Sequence, residues 1–337
     1  MAWEDRSGDD RDAGLVRHLG RRPDLRRLAA PRTVHPTRPE RGPVEGSVHH
    51  VRGADGPLRR RGRRRRAGRR PVSLSASGGF AYRVVGVVHV PALPGTARGG
   101  TTASMPGVLD AVRRDAAAYA EGGVSALMVE NFGDVPFLKD HVRPETIAAL
   151  TLAVAATIAE TGLPVGVNVL RNDVLAAVGI AAATGAGFIR ANVYTGAMLT
   201  DQGIIEGRAE EVQAAIRRLG ADISVWADAD VKHAASLAPR PIGDVAEDAV
   251  ERGLAGAIIV SGRATGSPVA MDDLSAVRAA VPGTPLYIGS GARADNAAAS
   301  LAVADGLIVG TAAKRDGVVT NPVDERRVRE IVTAASR

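Results

Sequence analysis

The 337-residue chain has no cysteine, which excludes disulfides, thiolate metal sites and a cysteine nucleophile together. Aromatic side chains are 3% of the residues, too sparse to build the stacking platforms that grip single-stranded nucleic acid. No apolar run reaches the roughly 18 residues needed to cross a bilayer, and no apolar core of a secretory signal is present. A chain free of membrane spans, in the cytoplasm, is therefore expected. Lysine is missing from residues 1–80, which instead carry 20 arginines against 9 acidic residues, a surplus of 11 positive charges. Residues 81–337 hold 23 basic and 28 acidic side chains, so the net charge of +6 belongs to the leader.

That leader has no apolar period longer than a few residues, and its densest part, residues 59–70, is a charge run that cannot bury a core. We expect residues 1–80 to be disordered and residues 81–337 to form one domain. Clustered arginines suit a nucleic-acid-binding arm. A transit peptide would be poor in acids, whereas Asp9, Asp10, Asp12, Glu40 and Glu45 interrupt this stretch. The plainer reading is a product of start-site choice in a GC-rich gene, with the next methionine only at Met105 and a start near Val72 or Leu74. These alternatives stand side by side.

Past the leader, apolar runs rich in β-branched residues recur at 84–89, 124–130, 164–168, 187–192, 223–228, 257–260, 286–288 and 307–309. Alanine-rich stretches of helical length separate them, at 108–120, 144–159, 173–183, 208–219 and 246–252. Eight near-continuous apolar strands alternating with helices predict an α/β fold of the (β/α)8 class, a TIM barrel, because parallel strands buried on both faces need helices as crossovers. An open doubly wound sheet would carry a glycine fingerprint after its first strand. Here that strand runs into Pro91, Pro94 and Gly95, which cannot open a helix.

In such a barrel, chemistry belongs to the C-terminal ends of the strands. Candidate catalytic residues at those ends are His89, Glu130, Asp228, Lys232 and His233, with Asn131, Asn168, Arg190, Asn192 and Ser261 as candidate substrate ligands. Glu130 suits proton transfer, Lys232 suits stabilisation of an oxyanion, and the histidines suit either proton transfer or hydrogen-bonded struts. The structural alternative makes Glu130 one half of an ion pair with Lys232 or Arg190. No organic cofactor is expected. A divalent metal on Asp228, Asp230, His233 and Glu130 stays open, although their spacing matches no defined metal motif.

Two glycine turns follow the last two strands, Gly289-Ser290-Gly291 and Gly310-Thr311. Backbone N–H groups unobstructed by a Cβ form an anion cup at this position in many barrels, and Arg293 and Lys314 would add charge. A phosphorylated small molecule is the expected ligand, with no nucleic acid for the barrel and a homo-oligomer left open. Residues 193–207, long and holding three glycines, read as a lid or as a hairpin that only covers the mouth.

Taken together, Val-Val-His-Val-Pro-Ala-Leu-Pro-Gly at 87–95, Val-Glu-Asn-Phe-Gly-Asp-Val-Pro-Phe at 129–137, Gly-Val-Asn-Val-Leu-Arg-Asn-Asp at 166–173, Ala-Asp-Ala-Asp-Val-Lys-His-Ala at 227–234 and Ile-Gly-Ser-Gly at 288–291 resemble the BtpA/SgcQ family. The resemblance implies a TIM barrel of the ribulose-phosphate-binding type from about Tyr82 onward. It leaves the leader without a counterpart. One branch is associated with photosystem I biogenesis and another with sugar-metabolism genes, so it implies either an isomerase or lyase for a phosphorylated sugar or phosphoribosyl compound, or a non-catalytic assembly factor.

Overall fold

The computed structural model describes residues 82–229, 231, 234–262 and 269–337. Eight parallel strands close into a barrel in the order β1-β2-β3-β4-β7-β9-β10-β11, with β11 paired back to β1. They are β1 (Val84–His89), β2 (Ala126–Glu130), β3 (Val165–Asn168), β4 (Phe188–Ala191), β7 (Ser224–Asp228), β9 (Ala257–Val260), β10 (Leu286–Ile288) and β11 (Gly306–Val309). The expected fold class is observed.

Helices α1 (Met105–Glu121), α2 (Pro144–Thr161), α3 (Val174–Thr184), α4 (Ala209–Leu219), α5 (Ile242–Glu247), α6 (Met271–Ala280), α7 (Ala297–Leu301) and α8 (Glu325–Ala335) alternate with the strands. Their ends follow local chemistry. Pro144 opens α2 where its missing N–H costs nothing, and Gly162 closes it in the left-handed region. Asp173 caps α3 by accepting from the Ala176 N–H. That helix is apolar nearly all round and largely buried, as expected for a helix between two neighbours.

Strand residues alternate between two cores. Val84, Val88, Leu127, Val129, Val165, Val167 and Ile189 face the helices, whereas Val85, Val87, Met128, Phe188, Trp226, Tyr287 and Ile308 fill the interior. Four of the few aromatic residues meet inside the barrel. Trp226 lies between Phe188 at 4.0 Å and Tyr287 at 4.2 Å, with Tyr82 about 6 Å from Phe188 and Trp226. The Tyr82 N–H donates to the Tyr287 hydroxyl at 2.8 Å. This plug makes the lower half of the barrel interior a packed core rather than a pore. Gly86 faces α1 because the Tyr119 ring occupies the place where a Cβ would stand, at 2.5 Å. The Tyr119 hydroxyl then donates to the Val309 carbonyl at 3.1 Å, pinning α1 across the closing seam of the barrel.

The segment after β4 forms a hairpin, β5 (Ala197–Thr200) and β6 (Gly203–Glu206), as one of the two sequence readings had it. The sequence pattern did not indicate its third strand, β8 (Ala234–Ser236), which arrives from the loop after β7 and pairs antiparallel with β5. Met198 and Ile205 on its inner face pack on Val193 and Val231 near the barrel mouth. Among the described residues no helix is long and apolar enough to cross a membrane.

Candidate active site at the barrel mouth

Period-two alternation brings one side chain or glycine from every strand to the upper rim of the interior. In barrel order these are His89, Glu130, Asn168, Arg190, Asp228, Ser261, Gly289 and Gly310, with Asn192 two residues beyond Arg190 on the same face. Strand register fixes their level, since His89 pairs with Glu130 and Glu130 with Asn168 across adjacent strands.

Arg190 and Asp228 form a buried two-pronged ion pair, with Nε donating to Oδ2 at 3.0 Å and Nη2 to Oδ1 at 2.8 Å. Asn192 adds a third donor to the same carboxylate at 2.8 Å, and Ser261 lies 3.4 Å from the guanidinium. Burial alone would lower the arginine pKa, but Asp228 and the charge of Glu130 outweigh it and hold the guanidinium above its ordinary value. With both oxygens engaged, Asp228 is placed to orient Arg190. Among the described residues Glu130 is met by Asn168 and His89. Asn168 Nδ2 donates to Oε2 at 2.5 Å, and His89 Nε2 stands 3.9 Å from Oε1. Of the two structural pairs open to Glu130, the one with Arg190 does not form, Asp228 occupying that guanidinium, and the one with Lys232 falls outside the described residues. The His89 ring stacks on Phe132 at 4.4 Å.

Two cavities open at this rim and share Glu130, Phe132 and Arg190 as a common wall. The first, of about 220 Å³, is bounded by both glycine turns, His89, Arg293 and Arg327. Gly291, Ala292, Thr311 and Ala312 line it, and their backbone N–H groups have no acceptor among the described residues. Glycine is required where it stands. A Cβ at Gly289 would lie 2.4 Å from Ser261 Oγ, and one at Gly310 would lie 2.9 Å from His89. Ser290 Oγ accepts from the Gly262 N–H at 2.9 Å, tying the loops after β9 and β10 together.

Two sequence expectations are corrected. Lys314 does not reach the cup; it is 1% exposed and bonded to Asp115 of α1 at 2.7 Å, because the chain turns inward after Ala313 and the ammonium needs a partner there. Asn131, expected to touch substrate, spends its carboxamide on the backbone. It accepts from the Leu170 N–H at 2.7 Å and donates to the Leu170 carbonyl and Asp134, both at 3.1 Å. Asp134 accepts from the Leu93 N–H, and burial raises its pKa, partly offset by these donors. Asn131 and Asp134 thus join the loops after β1, β2 and β3.

Arg327 escaped sequence reasoning because it lies on α8 rather than at a strand end. One signal was present: a cation in the first turn of a helix opposes the helix dipole and calls for another reason to be there. Its Nε donates to the Ala312 carbonyl, holding the guanidinium beside the cup. Lys232, His233 and Asp230 lie outside the described residues. Among the described residues no cluster of His, Asp and Glu is arranged to hold a metal ion.

A closed (β/α)8 barrel with a polar mouth and glycine turns after its last two strands defines the class. The BtpA family model matches residues 81–337, and the chain belongs to that family. The photosystem I biogenesis protein BtpA of Synechocystis sp. is 44% identical over 251 residues, 74% of this chain and 87% of that protein. The sgc region protein SgcQ of Escherichia coli is 33% identical over 255 residues, 75% of this chain and 94% of that protein. Among solved structures, N-(5'-phosphoribosyl)anthranilate isomerase from Pyrococcus furiosus superposes with a TM-score of 0.46 at 13% identity, covering 76% of this chain and 98% of the other. Nothing about chemistry follows from an overlap at that level.

Proposed function

We propose that the barrel is an enzyme that binds a phosphorylated sugar or phosphoribosyl compound in the cytoplasm and isomerises or cleaves it by proton transfer. The observation that carries this reading is continuity: one cavity is lined by Glu130, His89, two arginines and four residues whose backbone N–H groups have no acceptor among the described residues. A phosphate in the cup would accept from those N–H groups and pair with Arg293 and Arg327. Binding at that remote group would fix the reacting carbons beside Glu130.

Glu130 is the proton-transfer group in this scheme. Its Oε2 is anchored by Asn168, which leaves Oε1 to take a proton from a carbon next to a carbonyl and return it to the neighbouring atom. His89 and Arg190 border the same space and would balance charge on the enolate oxygen. Asp228 acts as a positioning residue through Arg190. Lys232 and His233 keep their proposed roles in oxyanion stabilisation and proton transfer.

Thermal unfolding with inorganic phosphate and a panel of sugar phosphates tests the binding step, since a ligand at 100 times its Kd adds about 2.7 kcal/mol. Failure of every phosphorylated compound to raise the Tm would remove the reading. The name of the cyanobacterial relative motivates a second one, a non-catalytic assembly factor for photosystem I. It requires a co-purifying protein partner whose binding Glu130→Gln leaves intact.

A further inference from the structure

The second cavity at the rim, of about 240 Å³, lies on the far side of Glu130 and Arg190 from the glycine turns. Asn168 and Asn192 border it, 1% and 6% exposed. An asparagine side chain can be placed either way round, but here the neighbours decide. Asn168 faces Glu130 Oε2 and Asn192 faces Asp228 Oδ2, and a carboxylate accepts only from the amide nitrogen. Both carboxamide oxygens are thereby left over, and neither Asn168 Oδ1 nor Asn192 Oδ1 has a hydrogen-bond partner among the described residues. Buried acceptors without donors are costly and uncommon in folded proteins.

Charge narrows what could satisfy them. The charged side chains lining this cavity are Glu130, Asp228, Arg171 and Arg190, two of each sign. Counted over the described residues alone, its wall is therefore neutral and offers a carboxylate, a second phosphate or an ammonium no net counter-charge. The remaining wall is apolar, from Phe132, Val135, Phe137, Leu170 and Val231.

We infer that this cavity is a subsite for the hydroxyl-bearing, uncharged end of the ligand, with Asn168 and Asn192 each accepting from one hydroxyl and the apolar wall covering the C–H face. This rests on the proposed function for the anion cup, and it narrows the substrate class to polyhydroxylated monophosphates that have no carboxylate or second phosphate at the far end.

The test is a set of matched affinities for the full chain by calorimetry, using D-ribose 5-phosphate, 2-phosphoglycolate, inorganic phosphate, D-ribose and glycolate. Ribose 5-phosphate should bind at least about tenfold more tightly than either phosphoglycolate or phosphate, the effect of one or two hydrogen bonds. Asn168→Leu and Asn192→Leu should each erase that preference while leaving inorganic phosphate affinity unchanged, which also shows that the variants fold. Phosphoglycolate binding as tightly as ribose 5-phosphate, or a preference that survives both substitutions, overturns the inference and leaves the cup intact. If no phosphorylated compound binds, the cup reading fails instead. The subsite is then decided by ribose against glycolate at high concentration: a preference for ribose lost in both variants supports it, and its absence refutes it.

Discussion

The contact between Lys314 and Asp115 offers a perturbation whose size can be worked from the structure. Lys314 is 1% exposed and Asp115 6%, with 2.7 Å between Nζ and Oδ2. Asp115 Oδ1 also accepts from the Val323 N–H at 3.2 Å, so the pair ties α1 to the segment leading into α8. Removing one member of a buried pair leaves the other charge in a poorly solvated place and typically costs about 3–5 kcal/mol, whereas replacing both with apolar groups is often neutral. We therefore expect Asp115→Leu and Lys314→Met each to lose about 3–5 kcal/mol in urea titration. That corresponds to a Tm drop of roughly 6–20 °C for a domain of this size. The double variant should lie within about 2 kcal/mol of the native protein, giving a large coupling energy in the double-mutant cycle. Desolvation already lowers the Lys314 pKa, with Asp115 acting in the opposite direction. Removing Asp115 lowers it further, so between that folded value and the unfolded value the unfolded chain holds more protons. Stability of Asp115→Leu should then climb as the pH is raised toward the ordinary lysine value. Single losses below about 1 kcal/mol, or a double loss equal to the sum of the singles, would refute the burial argument.

Changes at the cup should show in phosphate affinity, and at Gly289 also in packing, since a Cβ there meets Ile259 at 2.4 Å. Gly289→Ala places a methyl group 2.4 Å from Ser261 Oγ and 3.2 Å from Arg190, and is expected to weaken phosphate binding at least about tenfold by calorimetry. Arg327→Leu should weaken inorganic phosphate by a similar factor and lessen its salt dependence, while Lys314→Met, folded at low temperature, should leave phosphate affinity unchanged. Asp228→Asn removes the counter-charge of a buried guanidinium and should lower stability by about 3–5 kcal/mol in urea titration. Glu130→Gln is expected to keep the Tm within a few degrees while abolishing turnover of whichever sugar phosphate the binding panel selects.

The architecture was legible because each of its signals is local. Val84 to His89 or Ala257 to Val260 read as buried strands from their own composition, and Gly289, Gly291 and Gly310 announce turns that a side chain would obstruct. The rim was legible for the same reason: once the strand ends are known, alternation alone selects His89, Glu130, Asn168, Arg190 and Asp228. Partner choice was not, since it depends on side chains far apart in the chain. Asn131 and Asn168 are the same residue type at neighbouring strand ends. One is consumed by the Leu170 backbone, and the other is turned by Glu130 so that its oxygen faces a cavity.

The amino-acid order by itself determined the number of barrel strands, the charge division between leader and barrel, and which residue types reach the mouth, because periodicity and turn chemistry act over a few residues. Only the closed tertiary structure decided that Lys314 belongs to Asp115, that Asp228 is committed to Arg190, that Arg327 joins the cup and that β8 completes the hairpin sheet. Each of those outcomes follows from the stagger and closure of the strands, which set three-dimensional distances that no local pattern contains.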